Sequence, residues 1–386
     1  MNYKISAYGL TKEEESHLAA ALPEEYTLVV AECGAELILT NGVCTIIGGG
    51  ALNLAMAQTL ANFFRMTDRD FSPKRVIWLG ENAIPDWLKE SFFFCTDISE
   101  LLPELNDILS HLRAHFDDRP PCKNERSQWL LLSVRDMMEE EIKSVFNYRF
   151  ESQPEKELSD RLRWELGGIL WESPIESTLE LLAVYQLTRW LKRNNYPYWC
   201  GNPTASSFVL YLLGITSVNP LPPGLAQDGH NFVWREFCGG GLVPCYVFHL
   251  PKVLMPEIVV YFEGHWLKDF LGDGWQTISP GQNDHFVLGN MNFYFDIGKP
   301  PAELPDPSVF CQEDVYVYLR KHFPIEKDAF QGMNQVQKGR GFPVITEEMR
   351  TGKDSWILDY CKNVKWLPSR ANLLSERFFW ESQGRK

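Results

Sequence analysis

YWCGNPTASSFVLYLLGITSVNPLPP, running from Tyr198 to Pro223, is the stretch on which the fold of this chain depends. Tyr196 to Gly201 predicts a short strand entering a turn. Ala205 to Leu213 predicts a helix stopped by Gly214, with Ser206 placed to cap it. Proline and glycine then dominate residues 220–229. Upstream, Arg161 to Arg193 is strongly helical, with Leu179, Leu182, Tyr185, Leu187 and Leu191 facing inward.

Further out, the polar run ESQPEKELSD (151–160) predicts a hinge, and Gln128 to Arg149 a short WLLLSV strand followed by a helix. Residues 119–127 (RPPCKNERS) predict a linker. Before it, residues 1–118 predict a small α/β domain. Its expected strands are Tyr26–Glu32, Ala35–Thr40, Val43–Ile47 and Arg75–Leu79; its expected helices are Ala51–Arg65, Pro85–Phe94 and Ile98–Phe116. Gly48-Gly49-Gly50 lies between a strand and a helix, where main-chain N–H groups can hold a phosphate. The run lacks GxGxxG spacing and a Walker lysine, and a plain tight turn explains it as well.

The chain has 386 residues, 45% of them hydrophobic and 23% charged, which excludes a disordered or fibrous protein. A net charge of −14 argues against a protein that is basic overall and coats nucleic acid. The exception is residues 331–386, where ten Lys or Arg stand against six acids. Nine scattered cysteines without a CxxC pair fit reduced thiols in a cytoplasm. The first residues, MNYKISAYGLTKEEE, predict no signal peptide, and no apolar run reaches membrane-spanning length.

Ser206-Ser207-Phe208-Val209 followed by Gly214-Ile215-Thr216-Ser217-Val218-Asn219-Pro220-Leu221-Pro222-Pro223 resembles the palm of C-family bacterial DNA polymerase III alpha subunits of the PolC type. That family carries SRGSVGSSFVA and then GITEVNPLPP. Lys338-Gly339-Arg340-Gly341, Thr346 to Arg350 and Trp356 to Lys365 resemble its KGKG, EEM and WYIDSCKKIK segments. The resemblance covers about residues 160–372.

The resemblance implies a nucleotidyltransferase palm in which acidic side chains hold two divalent ions. The family's PDIDLNF corresponds to Pro256–Phe262, expected as a strand; Glu257 keeps a carboxylate, whereas Val259 offers no ligand atom. Phe293-Tyr294-Phe295-Asp296-Ile297-Gly298 resembles KLDILG, so Asp296 is either a retained metal ligand or a strand-end aspartate. In the phosphate loop the family's Arg-Gly-Ser falls on Gly201, Asn202 and Pro203, and proline has no N–H to offer. Asn202, Ser206 and Ser207 are the remaining nucleotide-binding candidates. Lys338, Arg340, Lys362 and Lys365 are the nucleic-acid-binding candidates, in the region that the resemblance assigns to the fingers. The FPKAH element is reduced to Leu367-Pro368-Ser369-Arg370-Ala371-Asn372. His230, Cys238, Cys245 and His249 stand where the family has zinc knuckles, but without a close pair.

These features imply an α+β protein: an α/β domain (1–118), a connecting strand and helix (119–160), a reduced palm-like domain (161–305) and a helical fingers-like remnant with a basic tail (306–386). The function they imply is a PolC-like, catalytically inactive pseudo-polymerase of the bacterial cytoplasm that binds or scaffolds nucleic acid or nucleotide. A protein-interaction module without nucleic-acid binding is one alternative. A divergent nucleotidyltransferase using Glu257 and Asp296 is another, and only there is Mg²⁺ expected as a cofactor. The expected partners are nucleic acid, through the C-terminal basic region, or a protein; no membrane contact is expected.

Overall fold

The computed structural model describes residues 3–40, 42–67, 75–80, 86–89, 91–118, 123–150, 156–174, 176–220, 245–267, 285–298, 301–323 and 325–384. It is a mixed α and β structure that divides into two units, Met1–Ser152 and Gln153–Lys386.

The first unit holds β1 (Tyr3–Tyr8), α1 (Lys12–Ala21), β2 (Tyr26–Val30), α2 (Gly34–Thr40), β3 (Cys44–Ile47), α3 (Leu54–Thr67), β4 (Val76–Leu79), α4 (Asp86–Lys89), β5 (Phe92–Cys95), α5 (Ile98–Leu101), α6 (Leu105–Asp118) and α7 (Lys123–Phe150). Its five strands pair in parallel in the order β2-β1-β3-β4-β5, a doubly wound arrangement. Strand β1 was absent from the sequence expectation, residues 123–127 of the expected linker already belong to helix α7, and further readings change. Ala35–Thr40 is helical: the Glu36 carboxylate accepts the Glu32 N–H at 2.6 Å, and Leu37 and Ile38 are fully buried. Only Asp86–Lys89 of the expected Pro85–Phe94 helix is helical, since Phe92–Cys95 pairs with β4. The helix expected over Ile98–Phe116 is two helices, broken around Pro103. WLLLSV is helical too, because Val134, Met137, Met138, Ile142 and Phe146 form one buried stripe of α7 against α2 and α3.

Gly48 and Gly49 serve close main-chain approach. A Cβ at Gly48 would stand 2.1 Å from the Gly9 carbonyl oxygen, and one at Gly49 2.7 Å from that of Leu79. Asn53 accepts the Met56 N–H at 2.9 Å and so caps α3 itself.

The second unit begins with α8 (Lys156–Leu166), a π turn (Gly167–Glu172) and α9 (Glu176–Arg193). Then come β6 (Trp199–Cys200), a 3₁₀ turn (Thr204–Ser206), α10 (Phe208–Leu212), β7 (Tyr246–Pro251) and α11 (Met255–Glu263). The hairpin β8 (His285–Leu288) and β9 (Met291–Ile297) completes a sheet of order β6-β7-β9-β8. Strand β7 runs parallel to β9, while the β6–β7 and β8–β9 pairs are antiparallel. Tyr246, Phe248, Leu250, Phe286, Leu288, Met291, Phe293 and Phe295 alternate onto the buried face. Glu180 of α9 fixes the hairpin turn, accepting from the Asn290 side-chain amide at 2.6 Å and its main-chain N–H at 3.3 Å.

The expected Pro256–Phe262 strand is wrong: these residues lie in α11. Pro256 sits in the first helical turn, where its missing N–H costs nothing. Ile258 and Phe262, one turn apart, are buried, whereas Val260 is 66% exposed. Phe262 packs on Phe293 of the sheet at 5.6 Å.

Five helices complete the unit: α12 (Gln312–His322), α13 (Glu326–Gln337), α14 (Glu347–Thr351), α15 (Trp356–Asn363) and α16 (Arg370–Ser382). Val315, Leu319, Met333, Val336, Met349, Ile357, Cys361 and Leu367 form a core among them. No described helix is long and apolar enough to cross a membrane.

Candidate functional site

The loop between β6 and α10 is built on a buried ion pair. Glu165 of α8, fully buried, accepts the N–H groups of Phe208 (3.0 Å) and Val209 (2.9 Å) and the Ser207 hydroxyl (2.9 Å). Arg161, one turn earlier, pairs with Glu165 and donates to the Ser206 carbonyl at 3.1 Å. The free N–H groups at the start of α10 therefore meet a carboxylate of the chain itself.

The helix cap is Ser207, not Ser206, and the helix starts at Phe208 rather than Ala205. Ser207 accepts the Leu210 N–H at 3.1 Å. Ser206 lies in the 3₁₀ turn and donates its hydroxyl to Asn202 Oδ1 at 2.5 Å. The Asn202 N–H donates to Asn372 Oδ1 of α16 at 3.1 Å. The three nucleotide-binding candidates thus stand together in one loop, with Ser206 and Ser207 buried.

Beside this loop, the face of the sheet opposite the core carries a row of rings. Trp199 on β6, His249 on β7, Tyr294 on β9 and His285 on β8 stand in register across four strands. Trp199 stacks on His249 at 3.8 Å and 3°, His249 on Tyr294 at 5.3 Å and 18°, and Tyr294 on His285 at 4.3 Å and 15°. Gly201 leaves room for this packing: a Cβ there would lie 2.8 Å from both His249 Nε2 and Val247 Cγ1.

Asp296 is at the end of β9, on this face and about half exposed. Both its carboxylate oxygens lie 2.9 Å from His249 Nδ1. Glu376 of α16 also feels His249 and Asp296. Burial raises its pKa, the neighbouring Trp380 and the charge of His249 oppose the rise, and Asp296 adds to it. The strand next to Asp296 is Tyr246–Pro251, which presents Val247 and His249 on this face and no carboxylate. Glu257 is exposed in the first turn of α11 and does not stand on a strand beside Asp296.

His230 and Cys238 lie outside the described residues. Cys245 accepts from the Asn292 amide at 3.3 Å, and His249 faces Asp296. Among the described residues no group of three or more His, Cys, Asp or Glu side chains is arranged to hold a metal ion.

Lys338, Arg340, Lys362 and Lys365 are all exposed. Lys338 ends α13, and Gly339, at φ +69°, lies on the main chain of Lys365, bringing the 338–340 loop beside it. The N–H groups of Gly339 and Arg340 donate to Val336 (2.9 Å) and Gln335 (2.9 Å), so these two close the helix instead of facing outward.

Sequence reasoning missed Glu165, Trp199, Asn372 and Glu376, and weighed His249 only as a metal ligand. A cap was expected at Ser206, one residue before the true one, and Glu165 is more than 40 residues away, so that its contact is tertiary. A family model described as the bacterial DNA polymerase III alpha NTPase domain matches residues 133–381, from within α7 almost to the end of α16. No curated protein matches the chain.

Proposed function

The chain belongs to the family of the bacterial DNA polymerase III alpha NTPase domain, and from that membership we propose a PolC-like pseudo-polymerase: a reduced palm and fingers that binds nucleic acid or nucleotide without nucleotidyl transfer. The observation that carries the reading is the pair of central strands. Two-metal transfer needs carboxylates converging on both ions. Here the strand next to Asp296 offers Val247 and His249, and both oxygens of Asp296 face the histidine. Among the described residues no group of three or more His, Cys, Asp or Glu side chains converges here, and Asp296 with these neighbours does not fit a pair of Mg²⁺ ions.

In this reading His249 is a structural clasp, wedged between Trp199 and Tyr294 and oriented by Asp296. The loop Asn202–Ser207 is held shut by Glu165 and Asn372, which leaves little donor capacity for a triphosphate. Binding then rests on Lys338, Arg340, Lys362 and Lys365, which would contact phosphates. Asp296 and Glu257 are remnants of ligand positions. A cytoplasmic setting accords with the free cysteines among the described residues.

A protein-docking reading has one observation in its favour: Trp356 (52% exposed) and Tyr360 (39% exposed) form a surface aromatic group with Phe310. Titration with labelled primer-template DNA at two salt concentrations separates the two. The pseudo-polymerase reading expects affinity that falls with salt and weakens in the Lys338→Ala/Arg340→Ala double variant. No binding at low salt leaves the docking reading.

A further inference from the structure

Trp366 is 61% exposed, further out than Trp356 at 52%. Its neighbours fix where it stands. Lys365 carries the main chain on which Gly339 rests, with a Cβ there only 2.7 Å from the Lys365 carbonyl oxygen. Leu367, buried on the other side of Trp366, donates its N–H to the Gln337 carbonyl at 3.2 Å. Residues 365–367 therefore run along the 337–340 loop, so the exposed Trp366 lies on a segment whose main chain adjoins that loop, next to Lys365 in sequence and with Lys362 just upstream. Lys362 lies on α15, whose exposed acid is Asp359.

Four cations and one indole on a chain of net charge −14 make a local surface suited to a polyanion with accessible flat rings. The cations attract phosphates of any nucleic acid. The indole adds energy only where a base face is free, because in a duplex those faces are covered by the neighbouring pairs. We propose that Trp366 is a stacking residue for an unpaired base, and that the Lys338–Arg340–Lys365–Trp366 surface takes single-stranded nucleic acid. This rests on the nucleic-acid reading above and narrows its ligand class.

The test uses the intact chain with fluorescein-labelled oligothymidylate of about 20 nucleotides and a blunt duplex of the same length, followed by anisotropy at about 50 and 200 mM NaCl. Trp366→Ala is expected to weaken oligothymidylate binding roughly 5- to 100-fold with an unchanged salt slope, Trp366→Phe to retain most of the affinity, and duplex binding to stay unmoved. Lys338→Ala/Arg340→Ala is expected to lower both the affinity and the salt slope. Equal losses for single strand and duplex, or no loss in Trp366→Ala, would overturn the stacking role while leaving the nucleic-acid reading in place. Absence of salt-sensitive binding to either oligonucleotide by the parent chain would overturn both.

Discussion

Glu165 shows how one side chain decides what a loop can bind. It neutralises the buried Arg161 and accepts three donors at the start of α10, a task that a bound anion could otherwise perform. Glu165→Ala takes the carboxylate counter-charge from the buried Arg161 guanidinium and the acceptor from two main-chain N–H groups, so urea unfolding should show a loss of about 3–5 kcal/mol. Glu165→Gln, which keeps an acceptor, should lose less. Glu313 gives a prediction in pH. Buried and accepting the Arg370 N–H, its carboxyl is pushed from 4.5 to about 7, chiefly by burial. Below 4.5 both folded and unfolded chains hold the proton. Between 4.5 and about 7 the folded chain holds more, so stability falls as pH rises through that window, by about 3 kcal/mol in all. His265, lowered by burial to about 4, has the opposite slope: its contribution is lost as pH falls from 6.5 towards 4. The readout is therefore the difference between parent and Glu313→Gln, which should grow steadily from pH 4.5 to 7.

The elements show which sequence signals carried and which did not. Strands β2, β3 and β4 were legible as short apolar runs bounded by turn residues, and α9 by its inward leucines. Two short runs misled. AELILT and EIVVY are apolar and partly β-branched, which periodicity over five or six residues cannot resolve into strand or helix. Burial resolved the first, because α2 is covered by α7 and β1; the second was settled by Pro256 and the Ile258–Phe262 spacing. The motif resemblance located the loop and Asp296, but the histidine clasp depends on cross-strand register between residues 47 apart, which no local pattern encodes. The helical assignment of α11 has its own test. On a strand Val260 and Phe262 would share one face; on a helix they do not. Phe262→Ala should cost about 3–5 kcal/mol in denaturant unfolding and Val260→Ala under about 0.5 kcal/mol. Comparable costs would contradict the helix.

At the scale of the whole molecule, the family match falls mainly on the second unit, which also holds the loop, the ring row and the basic surface. The doubly wound first unit has its glycines at Gly9, Gly48 and Gly49 packed main chain to main chain. A chain comprising residues 153–386 is accordingly expected to keep the oligothymidylate affinity of the full chain, as anisotropy would read it. A lost affinity would assign part of the binding to the first unit.

The proposed pseudo-polymerase has kept a binding surface and given up the metal-carboxylate chemistry of its palm. Primer extension on a primed template, with all four deoxynucleotides and with Mg²⁺ or Mn²⁺, tests it most directly. With either metal the parent chain is expected to give no product above that of Asp296→Ala. Template-dependent extension by the parent chain that disappears in Asp296→Ala would contradict it.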